Sequence, residues 1–387
     1  MNLVADPFDL QDISIVDNHC HPLERVQQHR VPSTWRRYFT EAADAGVDGE
    51  FAAGSAYYQR LLGAMAAYYD VECDEATVLA SRSALSTSEL TQRLFADASI
   101  GGVVVDLGYP PAEKSVPPEE FLAATNVDYG GLLRLELLFQ KRIEQYERLD
   151  DVVTALREDL QDLRGAGYVG LKSIVGYRTG LDVQRWSPDD VASSFREARR
   201  EVHEKGSVRL GHKPLLDSLL HVALAQASAD ELPVQFHVGY GDHDVDLRTA
   251  SPLLLRPLME DPAYRRLPIV LLHGCWPYFR EGAFLASIYA NVFLDISFGI
   301  PFLGAGELRT ITHAALGSAP FGKIMYSSDG ARIPEIFWMG AHDGRRLLSS
   351  VLGEMVQLGD LAAHQVHAVA EQILATNAQH LYGLGIR

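Results

Sequence analysis

Cysteine is scarce in this chain: three residues in 387. That is too few for a disulfide framework, and a reducing, cytoplasmic setting is expected. Long apolar runs are missing too. No stretch reaches the roughly 18 residues that a membrane-spanning helix needs, so no membrane partner is expected. The start, Met1-Asn2-Leu3-Val4-Ala5-Asp6, lacks the basic and apolar regions of a secretory signal. Positive charge is in short supply. Lys and Arg number 34 against 51 Asp and Glu, for a formal net charge of −17. Nucleic acids and anionic membranes need a basic footprint, so neither is expected as a partner. A small-molecule substrate remains, with a homo-oligomer left open. If that substrate carries a carboxylate, Arg or Lys must be placed locally against the overall field. There is no Gly-x-Ser-x-Gly elbow, no P-loop, no low-complexity segment and no solenoid repeat.

What is present begins with Asp17-Asn18-His19-Cys20-His21, which follows the apolar run Ile13-Ser14-Ile15-Val16. Residues two apart on a strand point the same way, so His19 and His21 can converge while Cys20 faces away. A pair of imidazoles at a strand end suits a divalent metal such as zinc. Alone the pattern is weak. It gains weight because three later apolar runs also end in a ligand or catalytic type: 232–236 in His237, 267–272 in His273, and 323–328 in Asp329. In a parallel barrel, catalytic groups sit at the carboxyl ends of the strands.

Further strands are predicted at 100–108, 131–136, 168–174 and 292–296, making eight in all. Helices are predicted between them, at about 146–165, 188–205 and 212–228. Residues 22–99 contain no strand pattern. They read as a helical insertion with candidates at 60–69, 75–83 and 87–98. The last carries a capping box, Ser86 with Glu89. The tail, about 342–385, reads as helical throughout. The expected fold is a single (β/α)8 TIM barrel over 1–387, with a helical insertion after the first strand and a helical C-terminal tail.

Each group suits a chemical task. Neutral His19, His21 and His237 can hold one metal, and Asp329 can join them and accept a proton from water. His273 can serve as an acid, as an electrophile or as ligand to a second ion. Asp17 would lie deeper and more readily orients a ligand or fills a polar barrel layer than binds metal. Lys172, in Gly170-Leu171-Lys172-Ser173, can meet a substrate carboxylate, bridge two metals as a carbamate, or lie on the surface as a snorkelling side chain. Arg178, on the loop Gly176-Tyr177-Arg178-Thr179-Gly180, can clamp a carboxylate. Asp242, His243 and Asp244 are adjacent polar loop residues and are read as solvated. Cys275 and Trp276 are read as pocket wall or packing rather than as a nucleophile.

The order His-x-His, Lys, His, His, Asp at successive strand ends resembles the amidohydrolase superfamily. The stretch from Gly170 to Leu181, Ser327-Ser328-Asp329-Gly330 with Pro334-Glu335, and Asn377-Ala378-Gln379-His380-Leu381-Tyr382-Gly383 narrow this to the amidohydrolase-2 group. They resemble especially the amidohydrolase half of nodulin/glutamine-synthetase-like proteins, here without the synthetase half. The resemblance runs from about residue 13 to 385. It implies a metal carried by His19, His21, His237 and Asp329, with His273 in the site. One zinc per chain is common in the subgroup. A lysine at the fourth strand marks the two-metal members, which would add Lys172 as a carbamate, and His273. The expected activity is metal-dependent hydrolysis of an amide-type C–N bond in a small polar substrate, such as an amino-acid amide or γ-glutamyl-type compound. Asp329 and His273 are the catalytic candidates, and Arg178 and Lys172 the substrate-binding ones. Non-oxidative decarboxylation is the alternative within the superfamily, and a non-catalytic barrel the alternative outside it.

Overall fold

The computed structural model describes residues 7–27, 31–42 and 48–385. Eight strands form one sheet in sequential order: β1 (Ile15–Cys20), β2 (Ile100–Asp106), β3 (Asp128–Arg134), β4 (Tyr168–Ser173), β5 (Val234–Phe236), β6 (Ile269–Leu271), β7 (Val292–Ser297) and β8 (Ile324–Ser327). All five strand pairings with a recorded register are parallel. Helices follow the strands in turn, which is the (β/α)8 class. The β-branched and aliphatic content of these strands reflects their burial: every residue of β1, β5, β6 and β8 is buried.

The chain divides into two compact units. The first holds the chain up to Val105, then Tyr109–Tyr129, and everything from Asp295 onward. In it β8 runs beside β1, with Asp329 N donating to His19 O at 3.0 Å. Helices at Pro32–Arg36, Asp48–Ala52, Ala56–Tyr69, Glu75–Ser83 and Thr87–Asp97 fill the segment between β1 and β2. Ala56–Tyr69 begins where Ser55 accepts from Tyr58 N and ends at Asp70, whose φ is 54°. Its buried Tyr57, Tyr58, Leu61 and Met65 lie at helical spacing. The Ser86–Glu89 capping box forms as expected. These helices are tied to helix Pro334–Leu358 by buried charge. Arg82 pairs with Glu335 and lies 4.5 Å from the Trp35 ring centre, and Arg60 donates to Asp343 at 2.8 Å.

The second unit comprises Asp106–Gly108 and Gly130–Leu294. Its ladder aligns Arg134 with Lys172 and Lys172 with Gln235, so these three side chains leave the same face of the sheet. Helix Pro188–Lys205 has Ser187 as its cap, proline at its start and Gly206 at φ 78° beyond its end.

The differences from expectation lie at element boundaries, and three of them matter most. The third strand stops at Arg134, and helix Leu135–Gln145 begins where strand was predicted. The helix predicted over 146–165 occupies only Leu149–Asp159, with turns leading to Gly167 at φ 88°. The tail is interrupted at Gly359, which closes helix Pro334–Leu358 in the left-handed region. Among the described residues, no helix is long and apolar enough to cross a membrane.

Candidate functional site

In the first unit, β1 delivers His19 and His21 and the end of β8 delivers Asp329. The two rings meet edge to face, with centroids 4.9 Å apart and planes at 80°. Nε2 of His19 lies 3.4 Å from Asp329 Oδ1, and Nε2 of His21 lies 3.5 Å from the same oxygen. Two ligand atoms each about 2.1 Å from a tetrahedral ion are roughly 3.4 Å apart. These side chains therefore fit a divalent metal in donor type and in spacing. Asp329 holds φ at 51°, a left-handed conformation that a non-glycine residue adopts at a cost.

That strained corner is braced from beneath. Asp17, fully buried, accepts from Ser328 N at 2.9 Å and from the Ser328 hydroxyl. Burial pushes the Asp17 carboxyl up to about 8, while its hydrogen bonds from Ser328 and from His19 N work in the opposite direction. Asp17 thus holds the backbone on either side of the corner: His19 through its N–H, and Asp329 through Ser328. Sequence reasoning missed a neighbour, Asp295. It is buried, accepts from Asn18 Nδ2 at 2.7 Å and from the Ser297 hydroxyl at 2.8 Å, and ties β1 to β7. The Asp-x-Ser alternation at the end of β7 was the available signal. Tyr109 sets its ring edge-on to His21, with centroids 5.8 Å apart.

In the second unit, His237 and His273 lie in direct contact. Nε2 of His273 is 2.9 Å from Nδ1 of His237, and Nε2 of His237 meets the backbone oxygen of Tyr240. The carbonyl can only accept, so His237 carries its proton on Nε2 and presents Nδ1 as a base, the form a metal-binding imidazole takes. His273 holds φ at 64°. The turn after His237 depends on Gly239, at φ 78°. A Cβ there would overlap the Trp276 carbonyl oxygen.

Lys172 is 1% exposed, which removes the surface-lysine reading. Beside it Ser173 donates to Glu136 at 2.7 Å, and burial raises the Glu136 carboxyl above its ordinary range. Arg134 grips the buried Asp106 through both carboxylate oxygens, Nε lying 3.2 and 3.1 Å away. Burial opposes the charge on Arg134, but the adjacent Asp106 prevails and raises its pKa. Arg178 has no such partner among the described residues. Its Nε is buried without a hydrogen bond, as is the Thr179 hydroxyl beside it. Burial lowers the Arg178 pKa, and Arg209 and Arg134 push the same way. Asp242, His243 and Asp244 also form a compact donor group, but all three are exposed, and Arg209 pairs with Asp244 at 2.7 Å.

A family model described as amidohydrolase matches residues 178–384, more than half of the chain. The chain belongs to the amidohydrolase family. Over 223 residues it is 34% identical to protein fluG of Emericella nidulans, covering 56% of this chain but 26% of that protein. The chain thus spans about a quarter of that relative's length. Among solved structures, a protein from Lactobacillus casei provisionally assigned as a metal-dependent hydrolase is 26% identical, with a TM-score of 0.83 over 97% of this chain and 96% of its own. The uronate isomerase of Thermotoga maritima, 13% identical with a TM-score of 0.68 over 96% and 95% of the two chains, shares the fold. Metal-dependent chemistry on a small molecule is the family's common ground.

Proposed function

We propose that this amidohydrolase cleaves an amide-type C–N bond in a small, carboxylate-bearing substrate, with one zinc held by His19, His21, His237 and Asp329. The observation that carries the reading is the placement of two imidazole Nε2 atoms 3.4 and 3.5 Å from one Asp329 oxygen. The His237 tautomer supports its inclusion: Nδ1 carries the lone pair, which meets His273 Nε2 at 2.9 Å and would turn to a metal on binding, freeing the His273 N–H. A divalent ion there supplies Lewis acidity, polarising a carbonyl oxygen and making water acidic near neutral pH.

The chain's own residues do the rest. Asp329 takes the proton of the attacking water and passes it to the leaving nitrogen. His273 donates from its ring to the carbonyl oxygen as negative charge gathers there. Arg178 and Lys172 bind the substrate carboxylate. Arg178 is suited to this because its buried Nε lacks a partner and its charge is disfavoured until an anion arrives. Asp17 holds Asp329 in place through Ser328.

The test is a mass-spectrometric screen of amino-acid amides and γ-glutamyl compounds with the metal-loaded enzyme. The reading requires release of ammonia or an amine, and abolition of turnover by a chelator. Release of carbon dioxide from a carboxylate, without amine, would replace it with a lyase.

A further inference from the structure

In the first unit, segments that follow β1, β2 and β8 at their carboxyl ends, together with the helical stretch 34–38, line an open cavity of about 510 Å³. Its charged lining among the described residues is Arg25, Arg37, Lys114 and Arg332 against Glu24 and Glu113. Among the described residues, four cations facing two carboxylates reverse the sign of a chain whose net charge is −17. The volume falls within the roughly 300–1,000 Å³ typical of small-molecule sites.

The segments are fastened to one another. Glu24 N donates to Arg332 O at 2.8 Å, and Arg25 N donates to Lys114 O at 2.9 Å. Arg332 sits at φ 70°, pairs with Glu24 at 2.9 Å and lies 4.3 Å from the Tyr38 ring centre. Glu24 also accepts from the Tyr38 hydroxyl at 3.0 Å. One carboxylate is therefore already engaged in holding the wall. The Lys114 ammonium, by contrast, has no ion pair among the described residues, and Arg25 reaches Glu120 only at 3.9 Å with both side chains more than half exposed. Such a distant, solvated pair contributes little, and Arg25 Nε is held by the Ser115 carbonyl at 3.0 Å, a neutral acceptor that leaves its charge uncompensated. The cavity also begins close to the candidate ligands. Glu24 is three residues beyond His21, and Arg332 three beyond Asp329.

We propose that this cavity binds the oxyanion of a small molecule, a carboxylate or a phosphate, with Lys114 and Arg25 as its principal contacts. That the molecule is the enzyme's substrate, bound by an end remote from its scissile bond, rests on the hydrolase reading. The binding itself does not.

Pyridoxal 5′-phosphate tests it without turnover, in metal-loaded and metal-free protein alike. Its aldehyde condenses with a lysine amine, losing water to form an imine, and borohydride reduces that imine to a stable secondary amine. Peptide mass spectrometry then locates the label. If the cavity seats the phosphate, Lys114 is labelled at least tenfold faster than Lys205, an exposed lysine on helix Pro188–Lys205. Glutarate or inorganic phosphate slows that labelling at least fivefold, the more effective of the two identifying the anion, and neutral glutaramide does not. The double variant Arg25→Met, Arg37→Met reduces the rate at Lys114 to that at Lys205 without lowering the melting temperature. Labelling of Lys114 at the rate of Lys205, or insensitivity to both anions, overturns the proposal. The protection arm on the parent protein decides the matter even if the double variant fails to fold. Absence of amide hydrolysis in the parent protein, with protection intact, would remove only the substrate assignment.

Discussion

At their strand ends the two units handle charge in opposite ways. The first brings carboxylate to imidazole: Asp329 stands within 3.5 Å of both His19 and His21, and Asp17 and Asp295 lie buried around the same strand ends. The second brings imidazole to imidazole and gathers cations. His273 contacts His237 at 2.9 Å, Lys172 is buried, and Arg178 has a buried Nε without a partner. Oxygen and nitrogen donors that crowd together want a cation between them, whereas unpaired guanidinium groups want an anion. At the strand ends the contrast is between donors suited to a metal in the first unit and cations suited to a substrate anion in the second, the division on which the proposed function rests.

Substitutions test that division. The largest effect is expected from His19→Ala or His21→Ala. Each should lose most of its metal and at least roughly 10³-fold in kcat/KM, about 4 kcal/mol, as measured by elemental analysis and steady-state kinetics. Asp329→Asn should sharpen the comparison by separating binding from proton transfer. It should retain part of its metal and lose kcat by roughly 10²–10⁴-fold; equal activity in variant and parent would remove Asp329 as the base. Arg178→Met belongs to the second unit, so it should keep its full metal content and lose more than about tenfold in kcat/KM, roughly 1.4 kcal/mol. Metal loss in this variant would break the division outright. Smaller still is the expected effect of bicarbonate on metal stoichiometry. The account expects one ion per chain with or without it. Two ions per chain, dependent on bicarbonate and lost in Lys172→Ala, would assign Lys172 a carbamate and give the second unit a metal of its own.

The strand ends were legible because apolar runs buried on both faces stop abruptly at a polar residue, and in a parallel barrel that stop marks the catalytic rim. This worked even for β5 and β6, which are only three residues long, since Val234–Phe236 and Ile269–Leu271 sit inside longer apolar runs. It failed where strand passes directly into helix. Leu132-Leu133-Arg134-Leu135-Glu136 reads as one extended segment, but the helix opens at Leu135 with no side-chain cap to mark it. The ligand types His19, His21 and Asp329 could be named from local pattern, whereas their mutual spacing could not. Pairings between residues far apart in the chain were also hidden. Arg82 with Glu335 and Arg134 with Asp106 depend on tertiary neighbours that no local period encodes. The cationic cavity is hidden for the same reason, because its lining comes from four separate segments of the chain.

An anomalous-scattering map of a crystal of the purified, metal-loaded protein, collected at the absorption edge of its metal, tests the central claim most directly. The account predicts one peak per chain, about 2.0–2.2 Å from Nε2 of His19, Nε2 of His21 and a carboxylate oxygen of Asp329, with His237 also in contact. A peak that touches none of the first three, such as one at the exposed Asp242, His243 and Asp244 group, would contradict it.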